Sequence, residues 1–522
     1  MREVLKIAED GPYCAQARGA EAVRTVEQRH AADVSHAARS GAVQVLTVLA
    51  QAILPLAQVI VARLFGATVF GLYQSSLAII EVLTRGSTGG ADKAMLRYIA
   101  GLRARGEKAS VLSALGTGLR LATAIAGGMV LLLILAAHWL ARWMHEPMLA
   151  RSLPAMAPAV LCTALVYVLI QASLANKATR PNLLVRGLCE PTFLLLAGLG
   201  AATVGRGLLP LAVAYSIAAL CTLAAAIVVV GRHLGSGDLG RALRAPRLAG
   251  LTSFSLPLGA GEMVNGILQR ADIVMLAAFA GARSAGIYAA AEFIGRAVAN
   301  IRYAFDSIAA SVLSEALHLG ERERLRYNLA LMTRWVATVA APLAALAIAL
   351  RADLLGLYGP EFAAGATAMI VLVASHLVNA TLGLTPWLLM VSGRSHLMLV
   401  GNCVCAALNI LLGLLLIPRF GILGTAGAVA TTVLVFQALL LWWTWRTEHV
   451  HPFEMRLCKP FVAAALMLVA EHCLGHLSSG FLRIALVITG GVSVYVLALT
   501  MLGLPAEERG LLGKLRARVE RW

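Results

Sequence analysis

Residues 252–306 read TSFSLPLGAGEMVNGILQRADIVMLAAFAGARSAGIYAAAEFIGRAVANIRYAFD. Most of this stretch is apolar, in two runs near 252–280 and 286–312 that each reach the roughly 20 residues a bilayer crossing needs. Charge nevertheless recurs inside both. At about 100° per residue, Glu262, Asn265, Gln269 and Asp272 share one helix face, with Arg270 on its flank. Glu292, Arg296, Asn300, Tyr303 and Asp306 share a face of the next run, with Arg302 beside it. Ionisable groups within spanning helices are costly, so a face of them borders a water-filled cavity or a partner.

The same composition runs outward along all 522 residues. The chain is 59% hydrophobic and 14% charged, with a mean hydropathy of +0.79. Soluble domains carry about 25% charged residues, and no soluble core hides this much apolar sequence. The runs are too long and too uniformly apolar for barrel strands, which alternate. An all-α membrane protein with about fourteen transmembrane helices is therefore expected. They fall near 41–63, 70–98, 112–137, 153–175, 183–204, 208–231, 252–280, 286–312, 330–350, 364–390, 395–417, 421–445, 457–475 and 482–503.

The net charge of +17 does not read as nucleic-acid binding, because the basic residues lie in short loops rather than in a patch interleaved with aromatics. They alternate instead. Arg103, Arg105 and Lys108, then Lys177 and Arg180, then Arg232 to Arg247, Arg322 to Arg326, Arg394, and Arg446 with Arg456 mark one side. The other side carries only Arg142, Arg151, Arg206, Arg283, Arg351 and Arg419. The positive-inside rule then puts both termini in the cytoplasm. Residues 1–40 read as a polar cytoplasmic extension without the apolar core of a signal peptide, and 504–522 as a basic cytoplasmic tail.

An internal repeat appears at an offset of about 215 residues. Phe70-Gly71-Leu72-Tyr73 matches Ala285-Gly286-Ile287-Tyr288, and Gln51 and Gln58 match Asn265 and Asp272. The offset spans an even number of crossings. It implies two six-helix lobes, 41–231 and 252–445, of equal orientation and related by a pseudo-two-fold axis along the membrane normal. Residues 232–251 link them, and 457–503 form two added C-terminal helices.

The polar stripes belong to the first two helices of each lobe. Besides the two faces above, helix 1 carries Gln44, Gln51 and Gln58, and helix 2 carries Glu81, Arg85, Thr88 and Asp92. The simplest alternative is mutual pairing at i,i+4, as Glu81 with Arg85 or Glu292 with Arg296. Four stripes at repeat-related positions favour a hydrated cavity between the lobes. Arg85, Lys93, Arg97, Arg270, Arg296 and Arg302 would make it a site for an anion, since the guanidinium fork suits phosphate. Asp92, Glu262, Asp272 and Asp306 would offset that charge or bind a coupling H+ or Na+, Asp272 foremost. No cofactor or metal is expected. No ATP-binding phosphate loop, H-E-x-x-H or nucleophile elbow occurs, which gives no sign of an enzyme. His472 and His476 read as a polar helix end rather than a metal site.

At Gly286-Ile287-Tyr288-Ala289-Ala290-Ala291, following Arg270-Ala271-Asp272, the chain resembles polysaccharide export flippases of the Wzx type. Leu408-Asn409-Ile410 and Leu416-Ile417-Pro418-Arg419-Phe420-Gly421-Ile422-Leu423-Gly424 are similar to the same family, as is Ser392-Gly393-Arg394. The resemblance covers roughly residues 41–445 and extends to the wider superfamily of multidrug extruders and lipid II flippases. It implies two bundles in a V, with a central cavity that opens alternately to either side. The implied substrate is a polyprenyl-diphosphate-linked glycan, moved across the bacterial cytoplasmic membrane for O-antigen, exopolysaccharide or capsule synthesis. Arg85, Arg270 and Arg296 correspond to the family's cationic cavity residues, and membrane lipids and a polysaccharide polymerase are the implied partners. An ion-coupled multidrug exporter would need a net acidic cavity, a lipid II flippase would share the mechanism, and a passive scaffold would have no use for the stripes.

Overall fold

The structure, a computed structural model, describes residues 53–503 apart from 177, 235–236 and 476–479. Gln44, Gln51, His476, the extension 1–40 and the tail 504–522 lie outside the described residues. Every regular element among the described residues is helical, as apolar surroundings demand of a backbone that must satisfy itself. In chain order they are α1 (Ile53–Ser87), α2 (Ala91–Ala104), α3 (Lys108–Trp143), α4 (Leu149–Ala175), α5 (Arg180–Val204) and α6 (Leu208–Leu234). Then follow α7 (Leu251–Asn300), α8 (Tyr303–His318), α9 (Arg322–Ala349), α10 (Pro360–Leu382), α11 (Ser395–Glu448), α12 (Cys458–Gly475) and α13 (Gly480–Met501).

Among the described residues, eleven helical runs are long and apolar enough to cross a membrane. Outward faces are greasy: Leu131, Leu135 and Trp139 of α3 are exposed, as are Leu414 and Leu415 of α11. This is a multi-pass membrane protein. The expected count of fourteen is not confirmed: two pairs of adjacent crossings run together, and 286–312 is not among the eleven. The run Ile53–Arg103 has 51 residues and His396–Glu448 has 53, far beyond one bilayer. The backbone leaves helical geometry inside three elements, at Gly66 of α1 (φ 76°, ψ 167°), Gly281 of α7 (φ 83°, ψ 163°) and Gly421 of α11. The positive φ at these turns is one that an L side chain resists.

Gly66 and Gly281 are 215 residues apart, and the repeat is visible in the contacts around them. Within α1, Gln74 donates to Gln58 across the turn. Within α7, Tyr288 donates to Asp272 at 2.6 Å. Both bonds span 16 positions across the turn, and at the offset of 215 Tyr288 corresponds to Tyr73, the chain neighbour of Gln74. The arms then meet each other across the lobes. A Cβ on Gly71 would lie 1.8 Å from the carbonyl oxygen of Ala282, and one on Gly286 would lie 2.1 Å from that of Ala67. The contact is reciprocal, as a two-fold relation requires. Near the far end of α1, a Cβ on Gly90 would lie 2.2 Å from the carbonyl of Ser255 in α7. The lobes thus touch at two levels, with the polar part of both helices between them. Small residues are what allow backbones to approach this closely in lipid.

The α12–α13 pair packs on α9 through a separate cluster that includes Ala341, Ala345, Ala463, Met467 and Tyr495. The Tyr495 hydroxyl donates to the carbonyl of Thr338 at 2.8 Å.

One feature of the expected pattern is corrected. The polar face of 286–312 does not continue to its end, since the helix breaks at Ile301–Arg302 and restarts as α8. Tyr303 is 59% exposed and does not line the cavity between the lobes.

The glycine contact predicts that Gly71→Val and Gly286→Val each wedge the lobes apart. In a background freed of native cysteines, a cysteine at Ala282 (2% exposed) should be inert to a maleimide in the parent and reactive in either variant. Equal protection in parent and variants would show that the contact accommodates a side chain.

Candidate functional site

A cavity of about 660 Å³ lies between the lobes. Its wall is built by both arms of α1, by α4, α5 and α6 at the N-lobe side, and by α7. Of the charged and polar residues singled out in the sequence, Gln58, Glu81, Arg85, Arg270, Glu292, Arg296 and Asn300 line it.

These groups form one connected network. Glu81 accepts from Arg85 at 3.0 Å through one oxygen and from Arg270 at 2.7 Å through the other. The second bond joins α1 to α7. Arg85 also donates to the side-chain oxygen of Gln269 at 3.3 Å and approaches Glu262 at 3.9 Å. Gln269 in turn donates to Asn265 at 3.2 Å. Lys93 approaches the other oxygen of Glu262 at 3.8 Å. Arg296 donates to Glu292 at 2.6 Å and to the backbone carbonyl of Gln269 at 2.7 Å. The i,i+4 pairs anticipated as the plainer alternative therefore exist, but within a larger cluster that crosses between helices. At its heart three guanidinium groups share two carboxylates, Glu81 and Glu292. Arg85, Arg270, Glu81 and Arg296 are each roughly one-quarter to one-third exposed, so they face open space.

The structure places the other expected residues off the cavity wall. Glu262, Asn265, Gln269 and Lys93 form the outer ring of the network just described. Arg97 stacks over Phe254 at 4.5 Å. Asp92 is buried and accepts from Thr88 at 2.9 Å. Arg302 bonds Asp306 at 3.2 Å and the carbonyl of Gly383 at 2.8 Å, beyond the helix break. Asp272 is 3% exposed and takes its hydrogen bond from Tyr288. It lies in the lobe interior, not on the cavity wall where an exchangeable coupling ion would meet substrate.

Several wall residues had not stood out in the sequence. Tyr73, Gln74, Thr163, Tyr167, Glu190 and Tyr215 form the N-lobe side of the cavity. Arg186 and Glu190, one turn apart in α5, pair at 3.6 Å. That i,i+4 spacing inside an apolar run was the available signal. His376 of α10 faces Glu292 at 3.1 Å, buried, and nothing in its surroundings along the chain marks it. With Glu190 included, the wall bears three arginines and three glutamates. Its cationic character is local, at the Arg85–Arg270–Arg296 cluster, and not a property of the whole cavity.

Two helical lobes meet around a polar cavity. The fold is similar to that of a lipid II flippase, MurJ, in an inward closed conformation: TM-score 0.68 at 14% identity, covering 88% of this chain and 98% of that one. It is also similar to an inward-facing multidrug resistance MATE transporter of the MOP superfamily, with TM-score 0.62, 15% identity and coverage of 76% and 97%. A MOP superfamily transporter from Pyrococcus furiosus gives TM-score 0.59 at 14% identity, over 79% and 95%. The chain shares the fold of these solved structures. A family model described as polysaccharide biosynthesis protein matches residues 37–312, more than half of the chain, and the chain belongs to that family. No curated protein matches it.

Glu81 is the shared anion of the cluster. Glu81→Gln should leave Arg85 and Arg270 short of a partner and cost about 1–3 kcal/mol, seen as a lower melting temperature. It should also tighten binding of an anion such as pyrophosphate, because one negative charge leaves the wall; Arg270→Gln should weaken it. Unchanged pyrophosphate affinity in both variants would show that the cluster does not face the ligand space.

Proposed function

We propose that this chain is a flippase that moves a polyprenyl-diphosphate-linked oligosaccharide from the cytoplasmic to the periplasmic leaflet of the bacterial cytoplasmic membrane, for surface polysaccharide synthesis. The observation that carries the reading is the cluster of Arg85, Arg270 and Arg296 on the wall of the inter-lobe cavity. Membership of the polysaccharide biosynthesis family supports the glycan part. The basic loops support a cytoplasmic location for both termini.

Arginine bonds two phosphate oxygens at once, and a diphosphate presents enough of them for more than one guanidinium. On binding, the phosphates replace Glu81 and Glu292 as partners, so the arginines exchange one anion for another rather than lose one. Breaking the Arg270–Glu81 bond also removes one of the ties between α7 and α1, which links occupancy to movement of the lobes. The polyprenyl tail stays in the bilayer while the head group crosses between the halves. No cofactor takes part, and H+ or Na+ drives the cycle through the carboxylates of the lobes. The added α12–α13 pair offers lipid-facing surface, and the product leaves to a polysaccharide polymerase.

The double variant Arg270→Gln/Arg296→Gln should abolish surface polysaccharide in a strain that depends on this chain, while the protein remains inserted at the parental level. Full polysaccharide in that strain would refute the assignment. Loss of resistance to organic cations, with polysaccharide intact, would point to drug export instead.

A further inference from the structure

We infer that the N-lobe wall of the cavity recognises the sugar adjoining the diphosphate, and so sets which glycan is moved; this rests on the reading of the cavity just proposed. The wall combines Tyr73 and Gln74 of α1, Tyr167 of α4, Glu190 of α5 and Tyr215 of α6. Tyr73 and Tyr215 pack edge to face, with ring centroids 6.2 Å apart at 78°. Neither hydroxyl makes a hydrogen bond to any described residue. Both residues line the cavity, so the hydroxyls are available to a ligand.

The repeat sharpens the point. Tyr288 is the counterpart of Tyr73 at the offset of 215, and its hydroxyl is committed to Asp272 at 2.6 Å. In the C-lobe the tyrosine is closed on a carboxylate inside the fold. In the N-lobe the equivalent tyrosine lines the cavity with its hydroxyl free, and Gln58 and Gln74 bond each other instead. The two lobes have diverged at the position where one of them meets the ligand.

What the N-lobe presents is aromatic surface together with phenol, amide and carboxylate groups. That is the chemistry of a neutral polyhydroxylated ring, whose C–H faces lie against aromatic rings while its hydroxyls find donors and acceptors. Glu190 is held by Arg186, whose guanidinium also stacks over the Tyr167 ring at 4.4 Å and donates to its hydroxyl at 3.2 Å. The pairing offsets the charge of Glu190, so the carboxylate accepts from hydroxyls without strongly repelling the phosphates. The π-helical turn Leu183–Cys189 immediately precedes Glu190, and such turns are frequent at functional sites. Behind Tyr167, Glu190 and Tyr215 an alcove of about 30 Å³ reaches Thr222, room for one water or one hydroxyl group.

The spacing suits a single ligand with two ends. Along α1, Tyr73 and Gln74 precede Glu81 and Arg85 by seven to twelve positions, roughly 10–18 Å at the helical rise. A molecule that meets both carries phosphate at one end and sugar at the other.

The test uses the purified full-length protein in detergent, with undecaprenyl diphosphate and its N-acetylglucosamine-, galactose- and glucose-bearing forms as probes. The parent should bind at least one sugar-bearing form about tenfold tighter than the sugar-free lipid, the effect of one or two good hydrogen bonds. Tyr215→Phe and Glu190→Gln should each remove most of that preference; Tyr215→Phe should hold sugar-free affinity within about twofold, and Glu190→Gln, which takes one negative charge off the wall, should not weaken it. Arg270→Gln/Arg296→Gln should weaken all four probes together. A preference that survives both wall variants overturns the inference, as does a parent that binds all four alike or wall variants that weaken all four equally. Parental binding by the arginine double variant, with the wall variants still losing the preference, would instead sink the diphosphate assignment and leave the sugar wall standing.

Discussion

The carboxylate of Glu81, gripped by Arg85 from its own helix and by Arg270 from the other lobe, is the contact on which the rest of the arrangement depends. A charge at membrane depth is tolerated when it is paired or borders water. Glu81 is both: it has two cationic partners and lies on the wall of a cavity. Because one partner belongs to each half of the molecule, the bond is also a latch between the lobes. The glycine contacts beyond it bring backbone against backbone, and the polar network lies between those contact levels. Close apolar touch and hydrated charge therefore alternate along the same helix pair.

That alternation explains how one interface serves two needs. In the proposed cycle the small-residue contacts of Gly71 and Gly286 part as the lobes separate. In the same proposal the ion pairs trade partners, since a phosphate offers the arginines what Glu81 and Glu292 offer. Within the C-lobe, by contrast, the Tyr288–Asp272 bond joins the two arms of α7 and has no partner across the interface.

Much of this was legible in the sequence, for physical reasons. Spanning helices announce themselves by length and hydropathy, and the cost of buried charge makes Glu81, Arg85, Arg270, Glu292 and Arg296 conspicuous. The repeat was visible at Gly71 and Gly286 because only glycine fits there. What a one-dimensional pattern misses is where a face points. Asp272 shares a helical stripe with Glu262 and Gln269 yet turns inward to Tyr288. Arg302 and Asp306 continue the stripe of Glu292 on paper, but a break at Ile301–Arg302 carries them away. Tyr167 and Tyr215 read as ordinary aromatic residues in apolar runs and Tyr73 only as part of the repeat, since nothing in a sequence tells a core tyrosine from one on a cavity wall. His376 is a lone histidine in an apolar segment, and its value lies wholly in the neighbouring helix.

The most direct measurement of the central claim is a cryo-electron microscopy structure of the full-length protein with a polyprenyl diphosphate bound. The account predicts phosphate density between the lobes, within hydrogen-bond distance of at least two among Arg85, Arg270 and Arg296, with Glu81 displaced from one of them. Phosphate held only on the lipid-facing surface, with the Glu81 pairs intact and the cavity unchanged, would contradict it.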